Sequence, residues 1–382
     1  MVRFFKLNNI DEFNCLADKC PDTCCSGWMI EIDEASLGKY KAVSGSYSSV
    51  LDERIDYTEK VFKQKESGDC SFLCASKLCD MYSNLGEASL CDTCRLYPRH
   101  IEEFLNVREM TLSISCPEAA RLLLESEVQP IFREVSEEEF NKAEFQKKEF
   151  CNEEFIKEKS AQEISSDEDD YEDFDSELYE QLLAARQALI EVMQNRELSY
   201  NERAEAVVNM ATKLQDELDG FEPVDLEGTR IGTYDFAREL FGCLKELEHL
   251  KAGRGAAIDA AEKLLYDSGE AGWQQNKSDF AKYCISSGIN TELMKEQLTV
   301  YYLYAYFCGA VYDDYVAAKA YGAIVHPLLI EELWTARWLE NGKELSIEDM
   351  VRVVYEYARE LENSNPNLIK TDEMLDEICF AN

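Results

Sequence analysis

Basic residues and histidine are both scarce in this sequence: 39 Lys and Arg stand against 77 Asp and Glu, for a formal net charge of −38, and there are three histidines in 382 residues. Such a surface repels phosphate backbones and anionic lipid, so nucleic acid and membrane surfaces are excluded as partners and basic proteins are favoured. Much of the acidity is read as a solvated face. Long apolar runs are missing too. The most apolar stretch, Val300 to Val311, is well short of the ~20 residues a membrane span needs, and Asp313 and Asp314 follow at once. The opening MVRFFKLNNIDEFN has no apolar core or cleavage site of a secretory signal, which points to the cytoplasm.

Familiar catalytic fingerprints are absent as well. No G-x-G-x-x-G follows a strand pattern, and neither G-x-x-x-x-G-K-[ST] nor H-E-x-x-H occurs. A Rossmann-type nucleotide site is therefore unsupported, and Gly253-Arg254-Gly255 reads as a loop between helices. The C-x3-C-x2-C of radical S-adenosylmethionine enzymes is missing: after Cys20 and Cys24 position 27 is Gly27, and after Cys70 and Cys74 position 77 is Lys77.

What the chain does have is an ordinary globular composition, 46% hydrophobic and 11% aromatic, at a length that suits two or three domains. Fifteen cysteines stand out, ten of them between Cys15 and Cys116. Where thiols stay reduced, a disulfide framework is disfavoured and metal ligation leads. The spacing runs Cys15, Cys20, Cys24-Cys25, then Cys70, Cys74, Cys79, then Cys91-x2-Cys94, then Cys116. Thiolates two to four residues apart converge on one ion at little loop-closure cost, and Cys91-x2-Cys94 is the most ligand-like pair. Ten thiols exceed the four that one zinc ion or one [4Fe–4S] cluster takes, so two sites, or one site with spare buried cysteines, both remain open. Gly27 offers the sharp bend that the vicinal Cys24-Cys25 pair needs.

The predicted fold is mainly α. A cysteine-rich metal-binding module, residues 1–133, of short helices and loops rather than a sheet, is followed by an acidic connecting region, 134–175, and an all-helical C-terminal domain, 176–382. In the connecting region Phe140, Phe145, Phe150 and Phe155 recur every five residues, and Asp167 to Asp175 holds seven acidic residues in nine. Helical stripes follow: Leu178, Leu182, Leu189 and Ile190; Ala204, Val207, Val208 and Ala211; Phe236, Leu240, Phe241 and Leu244. Met294 to Ala320 reads as one buried central helix, and Ser346 with Asp349 as a cap before Met350. Tyr301, Tyr302, Tyr304, Tyr306, Tyr312 and Tyr315 suit either a cleft or helix packing, with packing preferred. His249 and His326 read as structural and His100 as a surface residue. Arg95 and Arg99 either neutralise a cluster or pair with nearby acids.

Several blocks, in order, resemble the flagellin lysine-N-methylase (FliB-like) family. They are Phe13-x-Cys15; Cys20-Pro21-Asp22-Thr23-Cys24-Cys25-Ser26-Gly27-Trp28; Ile32-Asp33; Tyr40; Cys70-Ser71-Phe72-Leu73; Leu78-Cys79; Leu85-Gly86-Glu87; Cys94-Arg95-Leu96-Tyr97-Pro98-Arg99; and Ser115-Cys116-Pro117-Glu118-Ala119-Ala120. They cover about the first 125 residues, and zinc- or iron-chelating cysteine-domain proteins share the vicinal-cysteine theme. The resemblance implies methyl transfer from S-adenosylmethionine to lysine side chains of flagellin, with an iron–sulfur ([4Fe–4S]) or zinc centre. The matching cysteines, and so the implied metal ligands, are Cys15, Cys20, Cys24, Cys25, Cys70, Cys79, Cys94 and Cys116; Cys74 and Cys91 are additional candidates. Neither the S-adenosylmethionine pocket nor a catalytic residue is placed by it. The rival expectations are a non-enzymatic zinc- or iron-binding interaction protein and a cluster-bearing redox carrier.

Overall fold

The computed structural model describes residues 2–144, 174–224 and 230–380. Phe145, Phe150, Phe155 and the acidic run up to Asp173 lie outside the described residues. The chain divides into two compact units, one holding the residues up to Ala119 and from Phe132 to the end of the first described stretch, the other Ala120–Ile131 and everything from Phe174.

The first unit runs through β1 (Arg3–Leu7), α1 (Glu34–Ala42), α2 (Ser48–Arg54), the short pair β2 (Ile55–Asp56) and β3 (Val61–Phe62), α3 (Asp80–Leu85), α4 (Asp92–Leu96), β4 (Arg99–Phe104) and β5 (Val107–Leu112). The chain continues through α5 (Pro117–Glu125) and β6 (Phe132–Val135) to α6 (Glu137–Glu144). Four strands join in the order β4-β5-β1-β6, with β1 parallel to β5 and antiparallel to β6. This corrects the expectation of helices and loops without a sheet. The apolar alternation that would reveal these strands is interrupted by buried polar residues. Lys6 in β1 is 2% exposed and bonds Asp11 (2.7 Å) and Glu139 (3.0 Å), and Glu109 in β5 is also buried. Phe140, the one described member of the phenylalanine repeat, is buried on α6 with its ring 5.1 Å from that of Phe4.

Beyond the sheet, Ile30, Ile32, Leu37, Leu51, Ile55 and Phe62 pack with Phe72, Met81 and Leu90 into an apolar core that also takes in Cys70 and Cys91. Each such side chain contributes about 1.5–3 kcal/mol on burial. The cysteine-bearing loops thus rest on a conventional core. Asp33 caps α1 by accepting from the Ser36 amide at 2.9 Å.

The second unit is all helix: α7 (Ser176–Met193), α8 (Tyr200–Leu218), α9 (Tyr234–Leu244), α10 (Arg254–Tyr266), α11 (Gly269–Ser286), α12 (Thr291–Tyr306), α13 (Val316–Glu340), α14 (Ile347–Glu362) and α15 (Asn365–Phe380). The stripes on α7, α8 and α9 face inward as their spacing predicted, and Ser346 and Asp349 form a reciprocal capping box on α14. The expected single helix over Met294–Ala320 is broken. A 3₁₀ segment (Phe307–Tyr312) and a turn with Asp314 at φ +64° separate α12 from α13, a break that an apolar run with no period conceals. Helix α13 is the core element and packs on α8, α10, α12 and α15. Gln297 of α12, fully buried, donates to the carbonyls of Ser126 (2.8 Å) and Val128 (3.1 Å), which ties 120–131 into this unit. Among the described residues no helix is long and apolar enough to cross a membrane.

Candidate functional site

In the first unit the vicinal pair sits in a loop shaped by its neighbours. Trp28 Nε1 donates to the Cys24 carbonyl at 2.8 Å, the Cys70 amide to the Cys25 carbonyl at 2.7 Å, and Gly27 takes φ +89°, where a side chain would be strained. Cys91 and Cys94 flank the first turn of α4 within each other's electrostatic reach, the Cys91 thiol donating to the Glu31 carbonyl at 3.7 Å, and Cys24 and Cys25 lie within the electrostatic reach of Cys94. Cys116 lies near Cys24 and Cys20, and Cys70 near Cys79 and Cys91. Burial pushes the Cys116 thiol up to about 12 and that of Cys70 up to about 11. Cys15 is exposed and Cys74 half-buried.

Among the described residues, however, no three of His, Cys, Asp or Glu stand close enough to hold one ion. The thiols gather without closing into a ligand set as they stand, so no step of chemistry is derived through a metal. The flanking residues have local partners. Arg95 pairs with Asp92 (2.8 Å), Arg99 lies 5.3 Å over the Phe13 ring, and His100 pairs with Glu102 (2.7 Å) on β4.

Sequence reasoning missed a run of three recesses on the second unit. The first is lined by α9, α13, α14 and α15 and includes Cys243, His326 and Tyr357. The second shares Leu244, Leu247 and Tyr357 with it and adds His249, Arg254 and Glu360. The third shares Arg254 and Ile258 with the second and opens as a groove of ≈ 550 Å³ between α10, α13 and α14. Its floor is Ala257, Ala260, Ala261 and Ala336; its charged margin is Arg254 with Glu356 (3.3 Å) and Arg337 with Glu340 (3.0 Å). Arg254 Nε is buried with no hydrogen-bond partner among the described residues. Burial raises the Glu360 carboxyl, against the His249 and Arg254 charges beside it.

Behind these recesses lies a buried ionic network. Glu331 bonds Lys277 (2.7 Å) and Lys295 (3.0 Å), while Glu332 takes Lys277 (3.1 Å), Trp273 Nε1 (3.0 Å) and Tyr266 Oη (3.1 Å). Burial would raise Glu331, but the two lysines hold it down at about 2. Tyr301, Tyr302 and Tyr304 are buried packing residues, as the sequence favoured, whereas Tyr312 is exposed.

Comparison with known proteins places these recesses in context. Residues 229–381 match the model of the FliB lysine N-methylase C-terminal domain. A lysine-N-methylase of Salmonella typhimurium and one of Salmonella choleraesuis are each 27% identical over 123 residues, 30% of this chain and 31% of theirs. The flagellar biosynthetic protein FliU of Salmonella muenchen is 27% identical over 123 residues, 73% of its length. The match thus spans about a third of the curated lysine-N-methylases. No solved structure matches. The resemblance drawn from the cysteine blocks is borne out, and the family model falls on the helical unit that those blocks do not reach.

Proposed function

We propose, on the premise that 229–381 match a lysine N-methylase domain, that this chain transfers methyl groups to lysine side chains of a protein, flagellin being the substrate that the relatives' names suggest. That match is the observation that carries the reading. S-Adenosylmethionine, when bound, supplies a methyl group made electrophilic by its sulfonium. The donor set of the α10–α13–α14 groove fits such a group. Arg254 and Arg337 suit its carboxylate, Glu340 and Glu356 its ribose hydroxyls and ammonium, and the alanine floor the flat adenine. The orphaned Arg254 Nε is the specific support for this placement.

For the amine, the chain must strip the lysine of water and present its nitrogen uncharged, since an ammonium has no lone pair to attack with. The apolar recesses next to the groove favour the neutral form by desolvation. The net charge of −38 draws basic segments to the surface. A thiolate-bound iron–sulfur or zinc centre among Cys24, Cys25, Cys91 and Cys94 belongs to the same reading as a structural proposal, and it requires those thiols to swing together. Incubating the protein with methyl-labelled S-adenosylmethionine and flagellin should place label on lysine nitrogens, read by mass spectrometry. Flagellin left unlabelled by protein that demonstrably binds S-adenosylmethionine would overturn the assignment.

A further inference from the structure

The turn Gly253-Arg254-Gly255 reads as a plain loop in the sequence, yet it carries the charge at one end of the α10–α13–α14 groove. Gly253, at φ +84°, is the N-cap residue of α10, and Arg254 is the first residue of that helix. A Cβ added to Gly255 would sit 2.9 Å from the His249 ring, so the imidazole packs directly against the turn. Helix α14 meets the turn with two carboxylates four residues apart, which places both on one face. Glu356 lies 3.3 Å from Arg254 Nη1 at the groove margin. Glu360 accepts from the Leu250 amide at 3.1 Å, lies 3.4 Å from His249 Nδ1, and lines the recess behind the groove together with Arg254 and Tyr357. From α15 the neutral Asn367 donates to the Glu360 carbonyl at 2.5 Å. Two carboxylates therefore already face one guanidinium and one imidazole. The side chain of Glu360 is 10% exposed against 26% for that of Glu356, so Glu360 is the harder of the two to keep charged.

We propose that a carboxylate docking on Arg254 drives a proton from water onto Glu360, so that the groove takes up its ligand and one proton together. The proposal rests on the placement of S-adenosylmethionine in this groove and adds how the site accepts the donor's carboxylate. The enclosed part of the groove, ≈ 90 Å³, has room for that carboxylate and waters around it, with the rest of the donor lying in the open groove. A carboxylate bonded to Arg254 draws on the positive charge that favours ionised Glu360, and it brings a further negative charge toward that residue. Both effects favour the neutral acid. The neutral acid still accepts from the Leu250 amide through its carbonyl oxygen, and the proton returns to water when the ligand leaves. Burial already raises the Glu360 carboxyl, with the Arg254 and His249 charges opposing it, so drawing on Arg254 tips the balance. The titratable groups that face Glu360 are His249 on the preceding loop, Arg254 on α10, and Glu356 and Tyr357 on its own helix. Tyr357 is pushed up by burial and stays neutral.

The test is calorimetric titration of the full chain with S-adenosylmethionine between about pH 5 and about pH 7, where the ligand's carboxylate and ammonium both keep their charge. Run in two buffers of different ionisation enthalpy, it should show an uptake that approaches about one proton per ligand. The affinity should weaken as pH rises, by up to about tenfold per unit, because the proton is bound with the ligand. Glu360→Gln, which keeps an acceptor for the Leu250 amide, should bind without proton uptake in a protein of unchanged circular dichroism. His249→Gln should still take up the proton. Uptake that survives Glu360→Gln, or no uptake at any pH in the wild type, would overturn the proposal. Arg254→Gln should weaken binding about tenfold or more. Binding that ignores this change, or no binding at all, would remove the donor from the groove and the coupling with it. Proton-linked binding by a protein that leaves flagellin unmethylated would instead let the coupling stand and remove the methylase reading.

Discussion

Removing the carboxylate of Glu296 is the sharpest test of how the helical unit is held together. Glu296 on α12 is almost fully buried and is shared by two arginines from a neighbouring helix and its approach: Arg203 of α8 at 2.7 Å, and Arg196 just before it through both its Nε and Nη2, the shortest at 2.8 Å. The two pairs differ in exposure. Arg203 is 3% exposed, so Glu296→Ala strands a buried guanidinium, which costs about 3–5 kcal/mol. The stranded group keeps its bond to the Met193 carbonyl at 2.5 Å, which argues for the lower half of that range. Arg196 is 48% exposed and rehydrates, so its share is about 1 kcal/mol or less. The expected total is about 4 kcal/mol, a large part of the ~5–15 kcal/mol that holds a typical domain. Urea unfolding followed by the fluorescence of Trp273, Trp334 and Trp338 measures it, with Arg196→Ala losing about 1 kcal/mol or less. A Glu296→Ala protein within about 1 kcal/mol of wild type at unchanged m-value would refute the reasoning, because Arg203 would then have to be well solvated.

Other outcomes follow from the same structure. His326 is held at about 3 against an ordinary 6.5, so between those values the unfolded chain binds the extra proton; its contribution is complete above 6.5 and fades as pH falls, by about 2 kcal/mol at about pH 5, in denaturation measured across pH. Glu331, held at about 2 by Lys277 and Lys295, contributes stability that is complete above its ordinary 4.5 and disappears on acidification toward 2; Glu331→Gln should flatten the acid limb of the same curve. Leu51→Ala in the core beneath the cysteine loops should cost about 2–5 kcal/mol, whereas chelation should leave the far-ultraviolet circular dichroism of the first unit in place, because Ile30, Leu37, Phe62 and Phe72 bury one another without an ion. Methyl transfer to a basic protein should slow as salt rises, the mark of steering by a surface of net charge −38.

The helical unit was legible because amphipathic spacing is a local signal. Leu182, Leu189 and Ile190, or Phe236 and Leu240, declare the buried face of a helix within two turns, and Ser346 and Asp349 declare its start. The sheet was not legible, for a reason of the opposite kind. Its defining contact sets Arg3 opposite Val107, about a hundred residues apart, and its inner strands bury Lys6, Glu109 and Thr111 where apolar residues would have announced them. The break between α12 and α13 escaped because a run that is apolar on every side has no period to lose.

The two candidate sites divide in the same way. Cysteines are countable along the chain, so the first hundred residues advertised a metal and a family, yet three-dimensional placement brings the thiols near one another without closing a set of three. Arg254, His326 and Tyr357 belong to α10, α13 and α14, each surrounded by ordinary helical sequence, and only packing joins them along one run of recesses. An arginine beside glycines reads as a loop until its Nε is found buried and unbonded among the described residues. Unsatisfied hydrogen-bonding capacity is a property of three dimensions, since a one-dimensional pattern counts donors but not whether they are met. The chemistry proposed for this chain is therefore to be sought in the helical unit that the family model covers, since the cysteine loops rest on an apolar core of their own.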